Sequence, residues 1–168
     1  KVIMTKDQSI DWINNVLDKL PKFLSKMRDE NIPGRFKFSF SGDIEKGLKW
    51  GLGNTVFAAK CYYMLDLIDM KESIDMAKFV KSFQNSETEI CDPLIQKRSR
   101  FRRYSHAFID GQWGNYFGAQ TRRAETRQSF AALKALGSSP DKPYLKIPYT
   151  IDTISKYIHS LQWSLPWS

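Results

Sequence analysis

Apolar residues recur at helical spacing through most of the chain. Ile10, Ile13, Val16, Leu17, Leu20, Phe23, Leu24 and Met27 fall on one stripe, which predicts an amphipathic helix over 7–28. Pro21 lies inside that stripe, so either the helix kinks there or a second helix starts with Pro21 in its first turn. A turn is predicted at Asn31-Ile-Pro-Gly34. The period then drops to two. Phe36, Phe38 and Phe40 alternate with Arg35, Lys37 and Ser39, the signature of a short extended segment. Ser41-Gly-Asp43 offers a cap for a short helix through Lys49. Asn54 or Thr55 can cap the next helix, running to about Asp69. Its residues from Val56 to Leu67 leave few polar positions, which predicts cover on more than one side. An antiparallel amphipathic partner follows over 71–84, carrying Ile74, Met76, Ala77, Phe79, Val80 and Phe83. Ser86-Glu-Thr-Glu89 fits a capping box for a helix that Pro93 would cut short. Residues 92–120 read as a long loop, and loops of that length are usually functional. The strongest helix spans 124–136, with Gly137 at the left-handed C-cap position. A proline-containing connector over 138–148 leads to a last helix over 151–163.

Two helix pairs resemble each other. Thr55 to Leu65 lines up with Thr126 to Leu136. Residues 76–84 line up with 154–162, where Lys78 and Lys156, Ser82 and Ser160, and Gln84 and Gln162 are identical. The pattern predicts a helical-hairpin repeat in which one helix of each pair is covered on both sides and its partner faces water. Such pairs stack into a solenoid or close into a ring. The reading requires that Phe57 and Phe130 share an environment, and it forbids an extensive β-sheet. The expected fold class is all-α, a single domain of antiparallel helical hairpins over 1–168 with at most one short extended segment near 35–40. The apolar end, 164–168, predicts either a chain that forms part of a larger ring or a tail seated in a groove.

At 168 residues, with 42% hydrophobic and 26% charged residues, the composition is that of one globular domain. No run of about 18 apolar residues occurs, so no membrane span is expected. The opening KVIMTKDQSIDW lacks the apolar core of a signal peptide. Cys61 and Cys91 are too few and too far apart for a disulfide framework or a zinc pattern; they predict buried thiols in a reducing, cytoplasmic setting. The net charge of +8 admits an anionic partner. Its densest expression is 97–103, where Lys97, Arg98, Arg100, Arg102 and Arg103 surround Phe101. No helix-turn-helix, zinc finger or RNA-binding signature accompanies that run, so nucleic acid is not the expected partner. Nor is there a P-loop, a dinucleotide fingerprint or a Gly-x-Ser-x-Gly elbow, and neither a cofactor nor a metal is expected. Aromatic residues make up 14% of the chain, which suits an aromatic-lined pocket as well as a large core.

Thr126-Arg-Gln-Ser-Phe-Ala-Ala-Leu-Lys-Ala-Leu-Gly137, a proline-containing connector and Ile158-His-Ser-Leu-Gln162 together resemble the repeat of the α/α toroids. These are the rings of helical hairpins found in terpenoid cyclases, prenyltransferases and several polysaccharide lyases, where a helix ending in Leu-Gly precedes one ending in Ser-x-Gln. Asp110-Gly-Gln-Trp113 is similar to the Asp-Gly-x-Trp turn of that repeat, although it lies far downstream of Gln84. The resemblance covers about 55–167. It implies a toroid-like fold, complete or partial, and disfavours isoprenoid chemistry, because the acidic Asp-x-Asp-Asp run and the Asp, Cys and His zinc set are both missing. Toroid lyases acting on uronic-acid polymers use Asn or Arg to neutralise the carboxylate and Tyr or His to move the proton. By that resemblance Tyr116, His106 and Asn115 are the candidate catalytic residues, and Trp113, Phe117, Arg122 and Arg123 the candidate ligand-binding residues. The resulting expectation is binding or processing of a carbohydrate or similar ligand in a concave aromatic pocket. A non-catalytic helical scaffold that binds a protein or anionic polymer through 97–103 is the alternative. Arg122 and Glu125 are also spaced to form an ion pair, and His159 aligns with Lys81 on the wet face of its helix.

Overall fold

The computed structural model describes residues 5–41, 50–94, 119–145 and 148–159, with the side chains of 119 and 120 excepted. Its helices are α1 (Lys6–Met27), α2 (Leu52–Met64), α3 (Met70–Lys81), α4 (Ala119–Ala135) and α5 (Ile151–His159). No strand occurs among the described residues. The extended pairing there consists of antiparallel bridges such as Arg28 with Phe36 and Gln84 with Ile90. The fold is therefore all-α.

α1 starts in a capping box. Thr5 Oγ1 accepts the Gln8 N–H (3.3 Å), and Gln8 Oε1 accepts the Thr5 N–H (2.9 Å). The helix runs unbroken through Pro21. Its last turns reach the core through Leu24 and Met27, while Ile10, Ile13 and Leu17 stay about half exposed. α2 begins at Leu52, earlier than the sequence indicates, and neither Asn54 nor Thr55 caps it. Asp92 does so from far along the chain: its Oδ2 accepts the N–H groups of Gly51 (2.9 Å) and Leu52 (3.4 Å). The buried face of α2 is Leu52, Thr55, Val56, Ala58, Ala59 and Tyr62. It packs on α3 and α4, and α3 also meets α4. Met76, Val80, Ile90, Ala132 and Leu133 complete the core.

Four sequence expectations are corrected. α2 is not covered on more than one side, since Phe57, Tyr63 and Met64 are exposed. Phe57 and Phe130 do not share an environment: Phe57 is 66% exposed, whereas Phe130 packs against the core beside Tyr144. The register explains this, because aligning Thr55 with Thr126 places Ala59, not Phe57, opposite Phe130. Residues 35–40 hold only a short extended pairing, the Phe36 bridge to Arg28, as expected, but their alternation fails. Phe36 is buried, but Phe38 and Phe40 are exposed, so the alternation does not define one buried face. The capping box at 86–89 starts no helix; Asn85 Oδ1 instead accepts the N–H groups of Glu87 (2.9 Å) and Glu89 (3.0 Å) and closes a turn. The helix expected before Lys49 and the end of the one expected over 151–163 lie outside the described residues, as does most of the 92–120 loop. Cys91 is buried, and Cys61 is half-buried.

By the criterion of Phe57 and Phe130 the expected repeat fails, and what the hydrogen bonds show is a narrower likeness at the starts and ends of α2 and α4. Thr55 Oγ1 accepts the N–H of Phe36 (3.1 Å), and Thr126 Oγ1 accepts that of Ile90 (3.1 Å). Each donor residue, Phe36 and Ile90, sits in a bridge to a residue just past the end of the preceding amphipathic helix. Asp29 and Asn85 shape the two intervening turns alike, each accepting two backbone N–H groups through one side-chain oxygen. α2 and α4 also end alike. Asp66 (φ 53°) and Gly137 (φ 66°) are left-handed, and the next residue donates back across the last turn, Leu67 to Tyr62 O (2.9 Å) and Ser138 to Leu133 O (2.8 Å). These likenesses relate the ends of α2 and α4, while the main helix contacts join α2 with α3 and α4, and α3 with α4. The apolar residues Ile154, Tyr157 and Ile158 of α5 are only partly covered.

Candidate functional site

Polar side chains concentrate where the turn after α3 meets the start of α4. The Gln84 bridge and the Asn85 turn fix the backbone of 85–90. Glu89 is thereby held out of water and pairs with Arg122 Nε on α4 (3.1 Å). Three residues on, Asp92 is fully buried. Its Oδ1 accepts the Leu94 N–H (2.9 Å), and its Oδ2 holds the start of α2. Its own N–H donates to Glu125 Oε2 (3.0 Å). The chain from Gly51 through Asp92 to Glu125 brings the starts of α2 and α4 together.

Glu125 is the chemically unusual group. Burial pushes its carboxyl up from 4.5 to about 7; the Asp92 N–H opposes that rise and the Asp92 carboxylate adds to it. Asn54 occupies the equivalent place on α2 in the Thr55–Thr126 alignment. Its Nδ2 is out of solvent contact and has no hydrogen-bond partner among the described residues. One turn beyond Glu125, the Ser129 hydroxyl is in the same condition. Buried donors left without partners are rare, and they mark places where water or a ligand can bind.

Of the residues that the sequence singles out, Arg122 and Arg123 are described. Arg122 is committed to Glu89, and truncating it would strand a buried carboxylate. Arg123 lies over the Tyr157 ring, its Cζ 5.6 Å from the centroid. His106, Trp113, Asn115, Tyr116 and Phe117, together with the basic run 97–103, lie outside the described residues. Sequence reasoning read Asp92 as the start of a loop, Asn54 as a helix cap and Glu125 as an ion-pair partner. The repeat alignment held the missing signal, since it sets Asn54 opposite Glu125.

Two concave surfaces flank this region and the turn after α1. An open, shallow groove of about 480 Å³ borders α5, lined by Leu145, Pro148, Tyr149, Thr150, Thr153, Lys156 and Tyr157. It adjoins the polar cluster, because Leu145 at its edge donates its N–H to Thr88 Oγ1 (3.3 Å) and Arg123 stacks on Tyr157. A second cleft, of about 270 Å³, lies between α3 and the turn after α1. Its charges serve structure: Arg28 pairs with Glu72 and bonds the Tyr62 hydroxyl, and Arg35 pairs with Asp29 (2.8 Å). Among the described residues, no group of three or more His, Cys, Asp or Glu side chains is arranged to hold a metal. No helix there is long and apolar enough to cross a membrane. No family model matches the chain, and neither a curated protein nor a solved structure matches it.

Proposed function

We propose that this chain is a helical-repeat protein of the α/α-toroid kind that binds a carbohydrate or similar hydroxyl-rich ligand and moves a proton on it through Glu125. The carrying observation is the placement of Glu125. Its carboxyl is partly buried, accepts the Asp92 N–H, lies close enough to the Asp92 carboxylate to be raised by it, and sits one helical turn before the unpartnered Ser129 hydroxyl. A general acid or base is most effective when it titrates near the working pH, and Glu125 meets that condition at about 7. Asp92 and Glu89 are occupied with the α2 start and with Arg122, so their part is to fix Glu125 rather than to react.

The test is turnover of a panel of neutral and uronic-acid oligosaccharides, followed by new reducing ends and by absorbance of unsaturated products. Wild-type turnover should change with an inflection near pH 7, and Glu125→Gln should lower it by about 10²–10⁴-fold. Undiminished turnover by a folded Glu125→Gln protein contradicts the proposal. The scaffold reading has one observation in its favour: Ile10, Ile13 and Leu17 leave an apolar stripe of α1 exposed. It predicts no turnover on any sugar and binding that survives the Glu125 substitution.

A further inference from the structure

We propose that the first turns of α1 form a homodimer contact, in which α1 of a second copy lies antiparallel on the exposed residues Ile10, Ile13 and Leu17. The inference goes beyond the carbohydrate reading and does not depend on it. It starts from a spacing. Ile10, Ile13, Leu17, Leu20, Leu24 and Met27 follow one another at alternating steps of three and four, the seam by which one helix packs along another.

The two halves of that seam are used differently. Leu24 and Met27 are buried, and Leu20 packs against the same core. Ile10, Ile13 and Leu17 remain 46%, 48% and 49% exposed. α1 has 22 residues where α2 has 13 and α3 has 12, so it supplies more length than the core takes up. The uncovered half keeps the spacing of the covered half, and a second helix laid along it removes the same kind of apolar surface from water.

Charge selects the occupant. Over 6–16, Lys6, Asp7 and Asp11 give α1 a net charge of −1; over 17–27, Asp18, Lys19, Lys22 and Lys26 give it +2. Two copies crossing antiparallel set the acidic half of each beside the basic half of the other, whereas a parallel crossing sets like beside like. Both copies then use the same patch about a two-fold axis, the commonest symmetry of soluble homo-oligomers. A lipid surface is a poorer match. Asp7, Asp11 and Asp18 follow one face of α1, where an interfacial helix carries Lys and Arg. Three turns of helix against three cover less than the roughly 1,200 Å² of a standard interface, so the association is weak and reversible, with a Kd of about 1–100 µM.

Sedimentation equilibrium of the full chain from about 1 to about 500 µM tests the contact. Wild type is compared with Ile13→Asp, with the double variant Lys19→Glu and Lys26→Glu, and with Phe57→Asp. Ile13 and Phe57 are both exposed, so both single variants should fold, and Phe57 on α2 is the control. Wild type, Phe57→Asp and Glu125→Gln should dimerise alike, which keeps this test apart from that of the proposed function. Ile13→Asp should stay monomeric throughout. The double lysine variant makes both halves of α1 acidic, so its dimer should be at least about tenfold weaker at low salt and less affected at high salt. A monomeric wild type overturns the proposal, as does a dimer that survives Ile13→Asp or is lost in Phe57→Asp. A double lysine variant that dimerises like wild type at low salt overturns the antiparallel pairing. A monomer that instead sediments with phosphatidylglycerol vesicles, and does so only with Ile13 present, overturns the dimer and reassigns the stripe to a lipid surface.

Discussion

Glu125 and the two anchoring threonines are where individual atoms decide the outcome. Glu125 is protonated more readily in the folded chain than in the unfolded one, so folding takes up a proton between about pH 4.5 and about 7. The stability this group contributes is complete below pH 4.5 and is lost as the pH rises through 7. Urea unfolding midpoints measured from pH 5 to 8.5 should fall across that window, and Glu125→Gln should flatten the fall. Thr55 and Thr126 offer a second check. Each hydroxyl is the acceptor for a buried backbone N–H, so Thr55→Val and Thr126→Val should each cost about 1–3 kcal/mol, mostly from the orphaned donor. Similar costs at the two positions are the energetic signature of a shared anchoring role.

Among the elements, α1 is divided. Its last turns are anchored by Leu24 and Met27, whereas Ile10, Ile13 and Leu17 meet mostly water. Leu24→Ala should therefore cost about 2–5 kcal/mol. Leu17→Ala should cost less than about 1 kcal/mol, and amide hydrogen exchange should be faster in the first turns of α1 than in the last. The amphipathic stripe on α1 is plain in the sequence, but a stripe states which face could be buried and not whether anything covers it. The same limit explains Phe57, apolar yet exposed. The ends of α2 and α4 were legible in part. Gly137 announces its left-handed cap, while Asp66 does the same work without looking like a helix stop. The start of α2 was not legible, since its cap, Asp92, is supplied by a residue remote in sequence. The candidate site was hidden for a related reason. Glu125 looks like an ordinary surface acid at helical spacing from Arg122, and only the tertiary fold gives that arginine to Glu89 and leaves Glu125 with the Asp92 amide.

Across the molecule, close contacts hold the helices and the turns between them. Gly34 in the first turn packs directly on α3: a Cβ there would come within 2.1 Å of the Asp75 carbonyl oxygen, and its φ of 76° disfavours any side chain. Gly34→Ala should separate that turn from α3 and cost at least about 2 kcal/mol, read as a lowered Tm. The Gln84 side chain brackets the Lys142 backbone, donating to its carbonyl (2.7 Å) and accepting its N–H (3.0 Å), and so ties the approach to α5 to the turn after α3. Within that frame, Asp92 joins the start of α2 to Glu125 on α4, a partly buried carboxyl raised to about 7. A pH titration of the Glu125 side-chain carboxyl carbon by NMR tests that arrangement most directly. The account predicts a midpoint near 7, moving toward the ordinary value when Asp92 is replaced by Asn. A midpoint near 4.5 in the wild-type protein would contradict it.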